Sequence, residues 1–353
     1  MSVVRALKEV VMRVGRRAGL LAQVRQSGWR RDRLLILCYH GVSVEDEHEW
    51  DPRLYVPQSF LRRRLQLLRD GGFPVLPLAE GVRRLREGTL PAGAICLTFD
   101  DGVADFRSRA HPVLADFGVP ATVYQTTYYA AHAGPVFDTF ASYLLWKGRE
   151  WEGDLGALVP EAGVVSLRDP ASRAQVHRRL LAHVHARGFS SGDKDALLDQ
   201  LADRLGVDVA PLRQRRLMHL MNAEEIAALS RAGVDFQLHT HRHRTPADRE
   251  PFLREIEDNR RWLETVTGKV ATHFCYPSGV YRAEMRPWLV ERGVETATTC
   301  DPGIATRQND PLLLPRFVDT LHTSEDVFLA WASGFAELLP RRTRVAAGAH
   351  RHA

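Results

Sequence analysis

Four short, largely apolar runs, each ending abruptly in polar residues, constrain what this chain can fold into more than any other feature. Leu34 to Tyr39 runs into His40-Gly41, and Ala94 to Phe99 runs into Asp100-Asp101-Gly102. Val234 to Leu238 ends at His239, and Ala271 to Tyr276 ends at Pro277-Ser278-Gly279. Runs this short, bounded by charges, Gly and Pro, read as strands buried on both faces. Further strands are expected at Phe73 to Leu78, Pro120 to Tyr124, 294–299 and 312–318. Helical spacing lies between them: 57–70 carries Phe60, Leu61, Leu65 and Leu68 on one side and stops at Gly71-Gly72. Other helices are expected near 105–117, 222–232 and 250–267. Alternation of this kind predicts a parallel α/β architecture.

Residues 132–220 break the rhythm with Leu, Ala, Arg and charge at helical spacing, and read as a helical insertion instead of an independent domain. A chain of 353 residues buries one large core without disulfides. Its cysteines (Cys38, Cys96, Cys275, Cys300) form no Cys-x-x-Cys pair and read as small thiols in a reducing compartment. A formal charge of +5 is a modest excess, and nucleic acid, which needs local clustering of charge, is not an expected partner.

The N-terminus places Val3, Val4, Leu7, Val10, Val11, Val14, Ala18, Leu21 and Val24 at helical spacing, with Arg5, Lys8, Arg13, Arg16 and Arg17 between them. A signal peptide needs an unbroken apolar core of roughly 7–15 residues and a spanning helix about 20, and these charges interrupt both. Two readings stay open for residues 1–24: a helix lying on an anionic membrane surface, or one packed on its own domain. The division expected is a basic amphipathic leader at 1–30, a barrel at 31–330 carrying the insertion, and a C-terminal helix with a basic tail at 331–353.

Chemistry gathers at the strand ends. Adjacent carboxylates diverge at a strand exit, so one of Asp100 and Asp101 can bind a metal while the other faces a bound water. His239 and His243, four apart, can converge on one ion, with His241 pointing elsewhere; imidazoles with one carboxylate suit Zn²⁺ and leave positions open. After Pro277, which has no amide hydrogen, Ser278 and Gly279 offer the next backbone donors for an oxyanion. Each motif alone is compatible with an ordinary turn.

In order and combination, Thr98-Phe99-Asp100-Asp101-Gly102, His239-Thr240-His241-Arg242-His243 and Tyr276-Pro277-Ser278-Gly279 resemble the first three motifs of the polysaccharide deacetylases, carbohydrate esterase family four. The resemblance covers roughly residues 33–320 and implies a distorted (β/α)7-type barrel with parallel strands, its active site at the C-terminal strand ends. It implies Asp100 as catalytic base, Asp101, His239 and His243 as metal ligands, and Ser278, beside Tyr276, as the oxyanion amide. Ser278 replaces the usual aromatic residue, and the Arg that normally pairs with the base is missing near Pro277; Arg316 is the candidate from another strand. The strand bearing His40 comes first, as in the permuted branch that includes poly-N-acetylglucosamine deacetylases, which implies His40 as general acid in preference to His322. The expected activity is divalent-metal-dependent, most simply Zn²⁺-dependent, removal of acetyl from an N-acetylated glycan. The competing readings are a deformylase or other N-deacylase on a lipid- or nucleotide-linked sugar, and an inactive glycan-binding relative. With no export signal read from the sequence, the expected place of action is cytoplasmic, at the inner face of a membrane.

Overall fold

Seven parallel strands close into a barrel in strict chain order: β1 (Arg33–Tyr39), β2 (Ile95–Phe99), β3 (Thr122–Gln125), β4 (Asp235–Leu238), β5 (His273–Cys275), β6 (Thr296–Pro302) and β7 (Leu314–Val318). The computed structural model describes residues 3–160 and 162–340, so the basic tail expected from Arg341 onward lies outside the described residues. The closing pairs are Leu37 with Phe317 and Cys38 with Val318, between β1 and β7. On its other side β1 pairs with β2 from Leu35–Ile95 to Tyr39–Phe99. The distorted (β/α)7 barrel is therefore the architecture of the chain.

Side chains alternate across each strand and sort the core into two layers. Leu34, Ile36, Cys96, Tyr124, Cys275 and Leu314, drawn from strands all round the barrel, meet in the lumen. Leu35, Leu37, Leu97, Val123, Phe274 and Ala297 face outward into the layer shared with the helices. Four helices bear on the site and the surface: α1 (Val3–Arg17), α2 (Leu78–Glu87), α3 (Arg249–Thr267) and α4 (Glu325–Ser333). Leu78, Val82 and Leu85 of α2 join the lumen cluster. The strand expected over Phe73 to Leu78 is not formed. Val75 makes a lone bridge to Ile95 and Leu78 already opens α2, because Pro74 and Pro77 have no amide hydrogen with which to extend a ladder.

Between β3 and β4 the helices Phe137–Lys147, Pro170–Arg187 and Ser191–Leu205 gather around a separate cluster that includes Phe140, Leu144, Leu180 and Leu201. This segment also holds an antiparallel ribbon, Glu152–Asp154 with Val164–Ser166, that its helical spacing does not announce. Tyr55, from the loops beyond β1, is buried in the same cluster.

The leader packs against α4, but not by the face its spacing suggests. Met12 and Gly15 face the protein, and a Cβ on Gly15 would lie 3.0 Å from the Phe335 ring. Arg13 and Arg16 each reach Asp326 at 3.0 Å. The C-terminal helix begins at Glu325, earlier than the expected 331, with Ser324 capping it through the Val327 amide.

Candidate active site

All strands of the barrel run the same way, so their C-terminal ends share one mouth. Because Tyr39 pairs with Phe99, His40 and Asp100 leave β1 and β2 side by side, and His40 Nε2 lies 3.9 Å from Asp100 Oδ2. The Asp100 amide donates to the Tyr39 carbonyl at 2.9 Å and fixes this exit.

Arg316, on β7, points into the lumen and meets Asp100 with two nitrogens, Nη1 to Oδ1 at 2.7 Å and Nη2 to Oδ2 at 2.8 Å. Its Nε donates to the Thr299 carbonyl at 3.0 Å. Arg316 therefore holds the charge that the segment before Pro277 lacks. The thiols of Cys38 and Cys275 stand 3.6 and 3.5 Å from Asp100 Oδ2, so the carboxylate is enclosed by a guanidinium, two sulfurs and one imidazole. Burial alone would raise the Asp100 carboxyl, but Arg316, helped by His239 and His40, holds it well below the usual carboxylate range.

Asp101 turns the other way and meets His239 and His243. Ligand atoms of the three lie within 4.8 Å of one another. Nε2 of His239 and Nε2 of His243 are each 3.2 Å from Asp101 Oδ1. Yet Oδ1 is buried without a hydrogen-bond partner. His239 Nδ1 lies 2.8 Å from the Cys275 carbonyl, an oxygen that can only accept, so Nδ1 donates there and Nε2 is the nitrogen aimed at the carboxylate. Two imidazole nitrogens thus converge with a buried, unpartnered carboxylate oxygen. The residues fit a divalent metal on this ground. Burial pushes the Asp101 carboxyl up, but His243 and His239 bring it well below its usual range; burial pushes His243 down, and the Asp101 carboxylate raises it.

Backbone strain is concentrated here. Asp101, Thr240, His243 and Ser278 have φ of 68°, 64°, 54° and 54°, four of the six non-glycine residues with positive φ among the described residues. Gly102 turns the chain after the carboxylates at φ 79°, and a Cβ there would come within 2.0 Å of Gln125 Oε1.

Several supporting residues carry no local signal in the sequence. Asn259, buried on α3, accepts from the His239 amide at 2.9 Å and donates to the Gln125 carbonyl at 2.9 Å and to Thr127 Oγ1 at 3.1 Å. Glu255, one helical turn earlier, holds Arg242 and Arg244 on the loop from β4 to α3 that carries the two histidines. His241 turns away to Thr127 Oγ1 at 2.8 Å. The structure does not bring the Tyr276 side chain to the mouth: it is buried in the outer layer against Phe274 and Tyr281, as alternation from the lumen residue Cys275 requires. The Gly279 amide is spent on the Tyr276 carbonyl at 2.9 Å, which leaves Ser278 as the candidate amide at this exit. His322 lines a cavity of about 270 Å³ with Lys8, Met12 and Trp331, beneath the leader.

The sequence profile of the family described as Polysaccharide deacetylase matches residues 87–150 and 196–297, just under half of the chain. That span includes Asp100, Asp101, His239 and His243. Poly-beta-1,6-N-acetyl-D-glucosamine N-deacetylase of Escherichia coli (strain K12) is 34% identical over 107 residues, 30% of this chain and 15% of that protein, so the match spans a small part of the curated relative. Among solved structures, the deacetylase PplD of Streptococcus pyogenes, in complex with acetate, is similar with a TM-score of 0.56 at 19% identity, over 84% of this chain and 96% of that one. IcaB from Ammonifex degensii gives 0.54 at 17% identity, over 86% and 97%. At these identities the structural likeness is one of fold.

Proposed function

We propose that the chain hydrolyses the N-acetyl amide of an amino sugar in a polysaccharide or glycan precursor and releases acetate, a reading supported by the match of its Asp and His motifs to the polysaccharide deacetylase family. The reading is carried by one observation: a carboxylate and two imidazoles converge around an unsatisfied oxygen, with a second carboxylate held beside them by a guanidinium. Asp101, His239 and His243 would hold a divalent ion, most simply Zn²⁺. Such an ion, when bound, polarises an acyl oxygen and lowers the pKa of water from 15.7 toward roughly 7.

The chain's own groups supply the rest. Asp100, kept ionised by Arg316, accepts the proton of the attacking water. The Ser278 amide is the proposed donor to the oxyanion, a contribution typically worth about 10²–10³ in rate. His40, protonated, gives its proton to the departing amine, because an amide nitrogen leaves poorly as an anion. With the acid on β1 and the base on β2, the two groups lie on one side of the mouth, 3.9 Å apart.

All four cysteines are free thiols, and two of them touch the proposed base. Such thiols suit a reducing compartment, and we place the reaction on the cytoplasmic side of a membrane, on a glycan under assembly. No helix among the described residues is long and apolar enough to cross a membrane. The test is to incubate metal-reconstituted protein with a panel of N-acetylated and N-formylated saccharides, reading free amine, acetate and formate. Stoichiometric amine and acetate support the reading. A metal-loaded, folded protein that frees no amine from any of them overturns it, and formate alone would reassign the acyl group.

A further inference from the structure

An amphipathic helix on a globular protein ordinarily buries its apolar stripe. The α1 helix does the reverse. Its contacts with the protein run through Met12 and Gly15 and through the ion pairs of Arg13 and Arg16 with Asp326. Leu7, Val10, Val11 and Val14 form a stripe on the opposite side and are 62%, 51%, 38% and 58% exposed, with Leu20 at 40% just beyond the helix. At about 100° per residue, Arg17 and Arg13 fall along one flank of that stripe. Residues 1–31 hold eight Lys and Arg against a single acidic residue, Glu9. The whole chain carries only +5, so everything after residue 31 is net negative. Residues 1–31 thus combine a strong excess of positive charge with exposed apolar side chains.

From this juxtaposition we infer that the outward face of α1 docks the protein on an anionic lipid surface. Leu7, Val10, Val11 and Val14 enter the boundary between headgroups and acyl chains, and the neighbouring basic side chains lie at the level of the headgroups. Charge selects the occupant: a second copy would bring a like-charged helix face to face with this one, whereas an anionic bilayer supplies the counter-charge. The ion pairs to Asp326 then act as the rigid joint between membrane and barrel.

The test uses the full chain with phosphatidylglycerol/phosphatidylcholine vesicles and with phosphatidylcholine vesicles alone, at low and high salt, in a flotation assay. Wild type should float with the anionic vesicles, less so at high salt and little with the neutral ones. The triple variant Leu7→Ser, Val10→Ser, Val14→Ser should lose about tenfold or more of the bound fraction. Its melting temperature and its deacetylation of a soluble oligosaccharide should stay as in wild type, since these side chains touch neither core nor site. The inference is overturned if wild type stays with the soluble fraction, or if the triple variant floats equally well. It is overturned too if light scattering shows a wild-type dimer that the triple variant dissolves. None of these outcomes bears on amine release from the soluble substrate, so the catalytic reading stands or falls separately.

Discussion

Arg316, on the last barrel strand, grips both oxygens of Asp100, at the end of the second, across a lumen from which solvent is excluded; the two side chains are 0% and 3% exposed. The pair sets the charge state of the proposed base.

Arg316→Gln removes the guanidinium and leaves the burial. Since burial is the influence that raises the Asp100 carboxyl, the acid limb of the kcat/KM profile should move to higher pH in the variant. Leaving a buried charge unpaired should also cost about 3–5 kcal/mol of stability. A pH–rate profile coincident with that of wild type would show that Asp100 is not the group that titrates.

Metal binding and turnover should separate by residue. Asp101→Asn and His239→Ala should lose bound metal and activity together, because each removes one of three converging ligand atoms. Asp100→Asn should retain metal and lose turnover. Metal content by plasma emission, measured on the same preparations as the rates, checks both. Full metal content in Asp101→Asn would dissolve the proposed centre.

His40→Ala should keep its metal and lose about 10²–10⁴ in turnover, the usual worth of a positioned acid. His322→Ala, which alters a cavity under the leader, should turn over at close to the normal rate. The opposite pattern would move the acid to β7's exit loop.

Asp105 offers a stability test. It is buried, and accepts from the Val42 amide at 2.8 Å. Burial, with Glu47 and Asp101 nearby, raises its carboxyl well above the usual range. The folded state therefore keeps the proton to higher pH than the unfolded chain does. The stabilisation is complete below the ordinary carboxylate range and is lost as pH rises through the folded value. Asp105→Asn keeps an acceptor for Val42 and abolishes this titration. Its melting temperature should gain on wild type as pH is raised from 4 toward neutrality in about unit steps; a difference that stays flat would reject the account.

The barrel was legible because strands buried on both faces leave dense apolar runs, and all seven lie at or near runs visible in the sequence. The Asp and His motifs were legible because several ligating residues fall within five positions. What stayed hidden is set by contacts between distant segments. Arg316 could be named as partner of the base only through the family resemblance; its two-pronged grip on Asp100 follows from β7 and β2 flanking β1 with both side chains in the lumen. Asn259 and Glu255 look like ordinary polar positions of a long helix. Cys38 and Cys275 read as inert core thiols, and only the lumen puts both against Asp100. The leader shows the limit of periodicity: an apolar stripe says that a helix has two faces, not which one the protein will take.

Asn259 has a consequence for how variation in this protein would be interpreted. One short amide serves the backbone of His239, the exit of β3 and the Thr127 hydroxyl at once. Asp could not donate, Gln is one methylene too long, and Ala would take a partner from all three groups, leaving the Thr127 hydroxyl with His241. A substitution there would be filed as damage to a remote helix, while its first symptom would be a misaimed histidine and a protein that is folded, abundant and idle.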